Sequence, residues 1–193
     1  MPSFWSDATL EPKRKYRFQL IVGKNLKPYT VTKVKNPAMK VSETPHKFLN
    51  HTFYYPGRAE WDPIDISFVD PSGPNDVSGQ LLAQLGVSGY RTPDTDAASL
   101  NGFTKNAATK FGVGNVVIQQ LGPASDNSTT LVAISRWELS NAFFTNVSWG
   151  DFDYNGEDML ECSCTIRYDY AEYFKGNSNV LAQVSAGAAA GGA

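Results

Sequence analysis

The stretch from Trp149 to Phe174, WGDFDYNGEDMLECSCTIRYDYAEYF, gathers the residue types that could do chemistry: acids, aromatic rings and the only two cysteines of the chain. Asp151, Asp153, Glu157 and Asp158 are candidates for a glycosidase-like pair, in which two carboxylates held several ångströms apart act as acid and base. They flank Asn155-Gly156, and that dipeptide between strand-like segments is a hairpin signal, so the acids read as solvated turn residues. No nucleophile, base or orienting group accompanies them. Cys162 and Cys164 sit two apart in a strand-like run, which puts both on one face about 7 Å apart and favours buried thiols over a disulfide. A zinc site needs further ligands, and the only histidines, His46 and His51, lie in a distant turn-rich stretch. GFTKNAATKFGVGN holds glycines and lysines without the order of a phosphate-binding loop. The expectation is a chain that is not an enzyme, with no catalytic residues, no metal and no cofactor.

Composition narrows the classes further. With 193 residues, 41% of them hydrophobic, there is apolar material for one sizeable core. Lys and Arg number 17 against 19 acids, a formal charge of -2, which leaves no cationic footprint for gripping phosphates. The N-terminal MPSFWSDATLEPKRKYRF lacks the pattern of a secretion signal, and no run reaches membrane-spanning length. The chain reads as soluble, folded in the cytoplasm and without a direct membrane anchor. On that reading the Asn-x-Ser/Thr matches at Asn50, Asn127 and Asn146 are ordinary surface and turn residues.

The elements that must position these residues are mostly strands. KYRFQLIV alternates, with Tyr16, Phe18, Leu20 and Val22 on one face, and YTVTKVK follows as the second strand of an expected hairpin. Residues 36–57 carry Pro37, Pro45 and Pro56 and read as an extended arm rather than core. WDPIDISFVD puts Ile64, Ile66 and Phe68 inward. DVSGQLLAQLG predicts the one clear helix, capped by Asp76, with Val77, Leu81, Leu82 and Leu85 inward and Gly86 as its stop. Residues 90–114 read as loop with a helical turn near Ala107. NVVIQQLG, TTLVAISRWELSNAFFTNVSWG and DMLECSCTIRYDY supply further strands. In the last, Leu160, Cys162, Cys164, Ile166, Tyr168 and Tyr170 share the apolar face, and Glu161, Ser163, Thr165, Arg167 and Asp169 share a polar one. Tyr54, Tyr55, Trp61, Trp137, Trp149 and Tyr154 could build a sugar-stacking platform, or could pack in the core and between subunits. The expectation is a mainly β fold: two packed antiparallel sheets, one flanking helix and a long hairpin arm, in a single domain over 1–176. An Ala/Gly/Ser-rich tail, 177–193, follows.

KYRFQLIVG, then FYYPGRAEWDPIDISFVD, then RWELSNAFFTNVSWGDFDYNGEDMLECSCTIRYDYAEY resembles the order of features in the tail tube proteins of contractile-tailed bacteriophages. The resemblance covers most of the chain up to about residue 174. It implies hexameric rings stacked into a hollow tube inside a sheath, a virion component assembled in the host cytoplasm, with double-stranded DNA passing through without specific binding. The implied partners are further copies of the chain, the sheath protein, a baseplate initiator, a tail terminator and the tape-measure protein. Under it Asp65, Ser67, Glu161, Ser163, Thr165, Arg167 and Asp169 are expected to face the lumen. Glu43, Thr44, Pro45, His46, Lys47, Phe48, Tyr54 and Tyr55 are expected on an arm reaching a neighbouring subunit or ring. The alternatives are a baseplate tube initiator or an injection or type VI needle protein of the same fold and, more remotely, a carbohydrate-binding β module.

Overall fold

The structure, a computed structural model, describes residues 12–23, 26–73, 76–93, 102–122, 133–176 and 178–180. Nearly all of the Ala/Gly tail, the glycosylation-type Asn127 and most of the 90–101 stretch lie outside them. The described residues form ten strands: β1 Phe18–Val22, β2 Val31–Val34, β3 Met39–Phe48, β4 His51–Trp61, β5 Ile64–Val69, β6 Gly114–Leu121, β7 Ala133–Ser148, β8 Glu161–Arg167, β9 Tyr170–Lys175 and β10 Ser178–Asn179. Helix α1 spans Val77–Val87, and a short helical segment, α2, Lys105–Ala107, runs into a wider turn over Ala108–Gly112.

The expected mainly β architecture holds, but its layers are joined by one strand. Residues Ser135–Ser140 of β7 pair with β9 on one side and largely with β6 on the other. Residues Phe143–Ser148 pair with β8, which pairs with β5, which pairs with β2. Between the halves Asn141 sits at φ 57, a left-handed conformation that asparagine tolerates better than most residues. β7 thus turns from one layer into the other. Leu20, Val22, Val116, Ile118 and Leu139 from the first layer meet Ile64, Ile66, Phe68, Cys162, Cys164 and Ile166 from the second in one buried cluster. Every pairing in this sheet is antiparallel, so each strand alternates a dry face with a wet one.

Three expectations about these elements are corrected. β1 and β2 do not form a hairpin: β1 pairs with β6 and β2 with β5, in different layers, because Leu26 and Thr30 are buried and carry the chain across. In α1 the buried positions are Val77, Leu81 and Gln84, while Leu82 is exposed, since it lies about 100° round the helix from Leu81. Nor does Gly86 stop this helix. The chain turns at Gly89, φ 115, where the N–H groups of Gly89 and Tyr90 reach back to the carbonyls of Gly86 and Leu85 in a Schellman arrangement.

Two carboxylates hold the other end of α1. Asp76 accepts from the Gly79 N–H at 3.3 Å as expected of a cap. Asp70, at the end of β5, accepts from the Val77 N–H at 2.8 Å, from the Ser78 N–H at 3.3 Å and from the Ser78 hydroxyl. Burial would raise the Asp70 pKa, but these donors outweigh it and hold the carboxyl below its ordinary 3.8. A group depressed in the folded state stabilises above its unfolded value and loses that contribution as pH falls through the folded one. Asp70→Asn, which keeps an acceptor but removes the charge at the helix N-terminus, should therefore cost about 0.3–1 kcal/mol at pH 7. In thermal melts the gap between wild type and variant should close as pH is lowered below 3.8.

Candidate functional site

The wet face of the second layer is built by register. Asp65 stands opposite Thr165, Ser67 opposite Ser163, and Val69 opposite Glu161. Their neighbours in sequence, Ile64, Ile66, Phe68, Cys162, Cys164 and Ile166, are all buried, so the alternation forces Asp65, Ser67, Glu161, Ser163, Thr165 and Arg167 to the opposite face. Thr165 donates its hydroxyl to Asp65 at 2.9 Å, and Arg167 pairs with Glu60 at the base of β4 at 2.6 Å. The same row takes in Lys33, opposite Ser67, and Asn146 and Ser148, opposite Thr165 and Ser163. Sequence reading missed these last three, whose place depends on strand pairings across the layer.

Asp169 departs from the expected row. β8 ends at Arg167, and the Asp169 carboxylate is held by Lys105 at 2.7 Å and by the Asn141 side-chain amide at 2.8 Å. The hydrogen bond from Lys105, then that from Asn141, lowers its pKa. It ties α2 to the turn of β7. The alternation also changes phase here: Tyr168 is buried but Tyr170 is exposed, and Ala171 takes the dry position in β9. Burial, reinforced by the charge of Asp62, pushes the Tyr168 hydroxyl up to about 12.

The arm is an ordered hairpin. β3 and β4 pair from Met39 opposite Trp61 to Phe48 opposite His51, in a separate two-stranded sheet. Glu43, Thr44, Pro45, His46, Lys47, Phe48, Tyr54 and Tyr55 all lie on it and are all exposed. Its tip presents Leu49 at φ 53 and 88% exposure, an unusual conformation and setting for leucine. At its base Lys40 pairs with Asp62 at 2.9 Å. An isolated two-stranded hairpin is marginal in water, and this one shows Phe48, Leu49, Phe53, Tyr54 and Tyr55 to solvent.

Strand edges complete the surface. Among the described residues, Phe143–Ser148 of β7 pair only with β8, and β2 pairs only with β5, so the second layer has an open border on each side. A groove of about 900 Å³ runs along the β7 border, floored by Phe143, Phe144 and Trp61 and rimmed by Lys105, Arg167 and Asp169.

The catalytic and metal candidates find no such setting. Asp151, Asp153, Glu157 and Asp158 are all exposed on the 149–160 connection between β7 and β8. Asn155-Gly156 is therefore not a two-residue hairpin turn, although the Asn155 N–H does bond the Asp153 carboxylate at 3.0 Å. Among the described residues no group of three or more His, Cys, Asp or Glu could hold a metal ion. Cys162 and Cys164 are free, buried thiols, and burial pushes Cys164 up to about 12. Nor do the aromatic residues form one platform. Trp61 packs edge-on against Trp137 at 6.4 Å and near Tyr168 at 6.0 Å, Tyr54 and Tyr55 stand out on the arm, and Tyr154 lies on the 149–160 loop.

No protein-family model and no curated protein sequence matches the chain. Its fold is nonetheless shared with chains of contractile injection particles. A chain of the anti-feeding prophage tube-terminating cap superposes with a TM-score of 0.58 at 17% identity, covering 91% of this chain and 99% of that one. One from the sheath-tube complex of an extracellular contractile injection system, PVC, in its extended state gives 0.56 at 17% identity, with the same coverage. One from the anti-feeding prophage baseplate gives 0.56 at 14% identity, covering 87% and 99%. The chain has the contractile-tail tube fold over almost the whole length of these relatives.

Proposed function

We propose that the chain is a tube subunit: copies join side by side into hexameric rings, and the rings stack into the inner tail tube of a contractile phage particle. The observation that carries this reading is the layer β2–β5–β8–β7, open at both borders. Its strands alternate in direction. Because their number is even, rotating copies about a common axis sets the β2 border of one against the Phe143–Ser148 border of the next in antiparallel sense. Closure then removes every exposed edge in the layer. Such a heterologous contact closes into a ring when the rotation does. The count of six comes from the family resemblance.

The wet row then becomes the wall of the bore. Asp65 and Glu161 balance Lys33 and Arg167 among hydroxyl and amide groups. Such a wall gives DNA phosphates little to hold, so double-stranded DNA can pass without specific binding. The arm, reaching outward, covers its apolar side chains on a neighbouring subunit or ring. In this reading a sheath surrounds the tube, a baseplate initiator and a terminator bound its ends, the tape-measure protein is a further partner, and the product is part of a virion. No catalytic role is proposed.

A second reading is a baseplate initiator or an injection-system or needle protein of the same fold. It is favoured by the equal likeness to baseplate, cap and sheath-tube chains. Negative-stain electron microscopy of the purified chain separates the two. Hollow filaments of uniform width and unlimited length support the tube subunit, and rings that never stack support the initiator. Monomers at all concentrations, with no growth from isolated baseplates, would overturn both.

Trimming the arm at the Glu43–Pro56 rung and closing it with Asn-Gly should leave a folded chain that forms no long tubes. Unchanged tube length would remove the arm from assembly. For the bore, Ser163→Cys provides a label site, since the two native thiols are buried. The monomer should react with both a small and a polymer-linked maleimide, and the assembled tube with the small one alone. Equal labelling of tube and monomer by the bulky reagent would place Ser163 outside.

A further inference from the structure

Among the described residues, the two ends of β7 carry uncovered surfaces of opposite chemistry. At its start a cavity of about 490 Å³ opens, lined by Phe18, Trp137 and Tyr173 and edged by Lys13, Arg14 and Lys15. Lys13 is committed to this wall: its ammonium donates to Ser135 at 2.8 Å and to the Tyr173 hydroxyl at 3.0 Å. Arg14 and Lys15 are exposed at the rim. At the far end, the 149–160 loop stands on a fixed neck. The Trp149 indole donates to the Ser78 carbonyl at 3.3 Å, and Gly150, φ 77, lies so close to β8 that a Cβ would sit 2.4 Å from the Glu161 carbonyl. Beyond that neck Phe152 is 90% exposed and Tyr154 fully so, with Asp151 and Asp153 flanking Phe152. A phenyl ring left in water between two carboxylates is the complement of an aromatic cavity edged by cations.

Among the described residues, one copy does not bring the two surfaces together. No residue of the loop lines the cavity. Along β7, Ser135 and Ser148 are separated by up to about 43 Å at the usual rise per residue. We propose that the loop of one copy seats Phe152 in the Lys13–Lys15 cavity of a second copy, with Asp151 and Asp153 against Arg14 and Lys15. The contact is head to tail, so each copy both offers a loop and receives one, and between stacked rings it propagates. Its placement between successive rings rests on the tube reading: strands of a closed barrel run from rim to rim, and loops at their ends face the adjoining ring.

Charge reversal tests the contact. D151K/D153K and R14E/K15E should each stay folded by circular dichroism and raise the concentration needed for stacking by about tenfold or more, since like charges then meet across the interface. The four changes combined in one chain should restore stacking. A second measurement does not need tubes. With Tyr154→Cys and Asn36→Cys in one chain, which leave Phe152 and the four charged residues in place, oxidation should yield a ladder of dimer, trimer and higher species, whereas either change alone stops at a dimer. Reversed variants that stack at wild-type concentrations would overturn the contact and leave the tube reading intact. A ladder from a chain that never forms hollow tubes would support the contact and sink the tube reading. Absence of the ladder would overturn the contact.

Discussion

β7 belongs to both layers, and its turn at Asn141 determines where the molecule is closed and where it is left open. Up to Ala142 the strand has β6 beside it, and beyond that point, among the described residues, only β8. Asp169 fastens the turn by binding both Asn141 and Lys105, so the helical segment that starts at Lys105 is attached at the point where the strand changes layer. This exposed ion pair adds little stability by itself. Its effect is geometric, because the residues it joins are the ones that decide which face of each half points at the core. The open Phe143–Ser148 border is the direct consequence of the turn.

The rest of the surface follows the same logic. The body buries a continuous cluster from Leu20 to Ala171, yet Phe48, Leu49, Phe53, Tyr54 and Tyr55 on the arm and Phe152 and Tyr154 on the 149–160 loop are left in water. Clustered exposed aromatic side chains mark surfaces that another protein covers. Here they coincide with the projecting hairpin and with the end of a long strand, while the wet face between the two open borders is polar and balanced in charge. In the proposed tube the apolar ends and open edges meet between copies and the polar face lines the passage.

How much of this was legible depends on the range of the interaction responsible. β5 and β8 read correctly because each has one dry face and one wet one, and a period of two shows directly in Ile64, Ile66 and Phe68 and in Cys162, Cys164 and Ile166. The phase change after Tyr168 did not, since it arises from the turn of a different strand. Lys33, Asn146 and Ser148 were invisible for the same reason: their face is set by partners elsewhere in the sequence. The helix was placed by its cap, but its buried face includes Gln84 in place of Leu82, which hydrophobicity alone cannot choose. Asn155-Gly156 suggested a tight hairpin, whereas the chain there spends the whole of 149–160 outside the sheet. The Lys13–Lys15 cavity brings Phe18, Trp137 and Tyr173 together, and no local pattern in the sequence announces that meeting.

The central claim is that the β2 and Phe143–Ser148 borders pair between copies. Amide hydrogen exchange, compared between monomer and assembled particles and resolved at those two segments, reads it directly. The account predicts that the outward amides of both segments exchange quickly in the monomer and are protected together on assembly, as sheet hydrogen bonds form. Fast exchange at both borders within intact assemblies would contradict it.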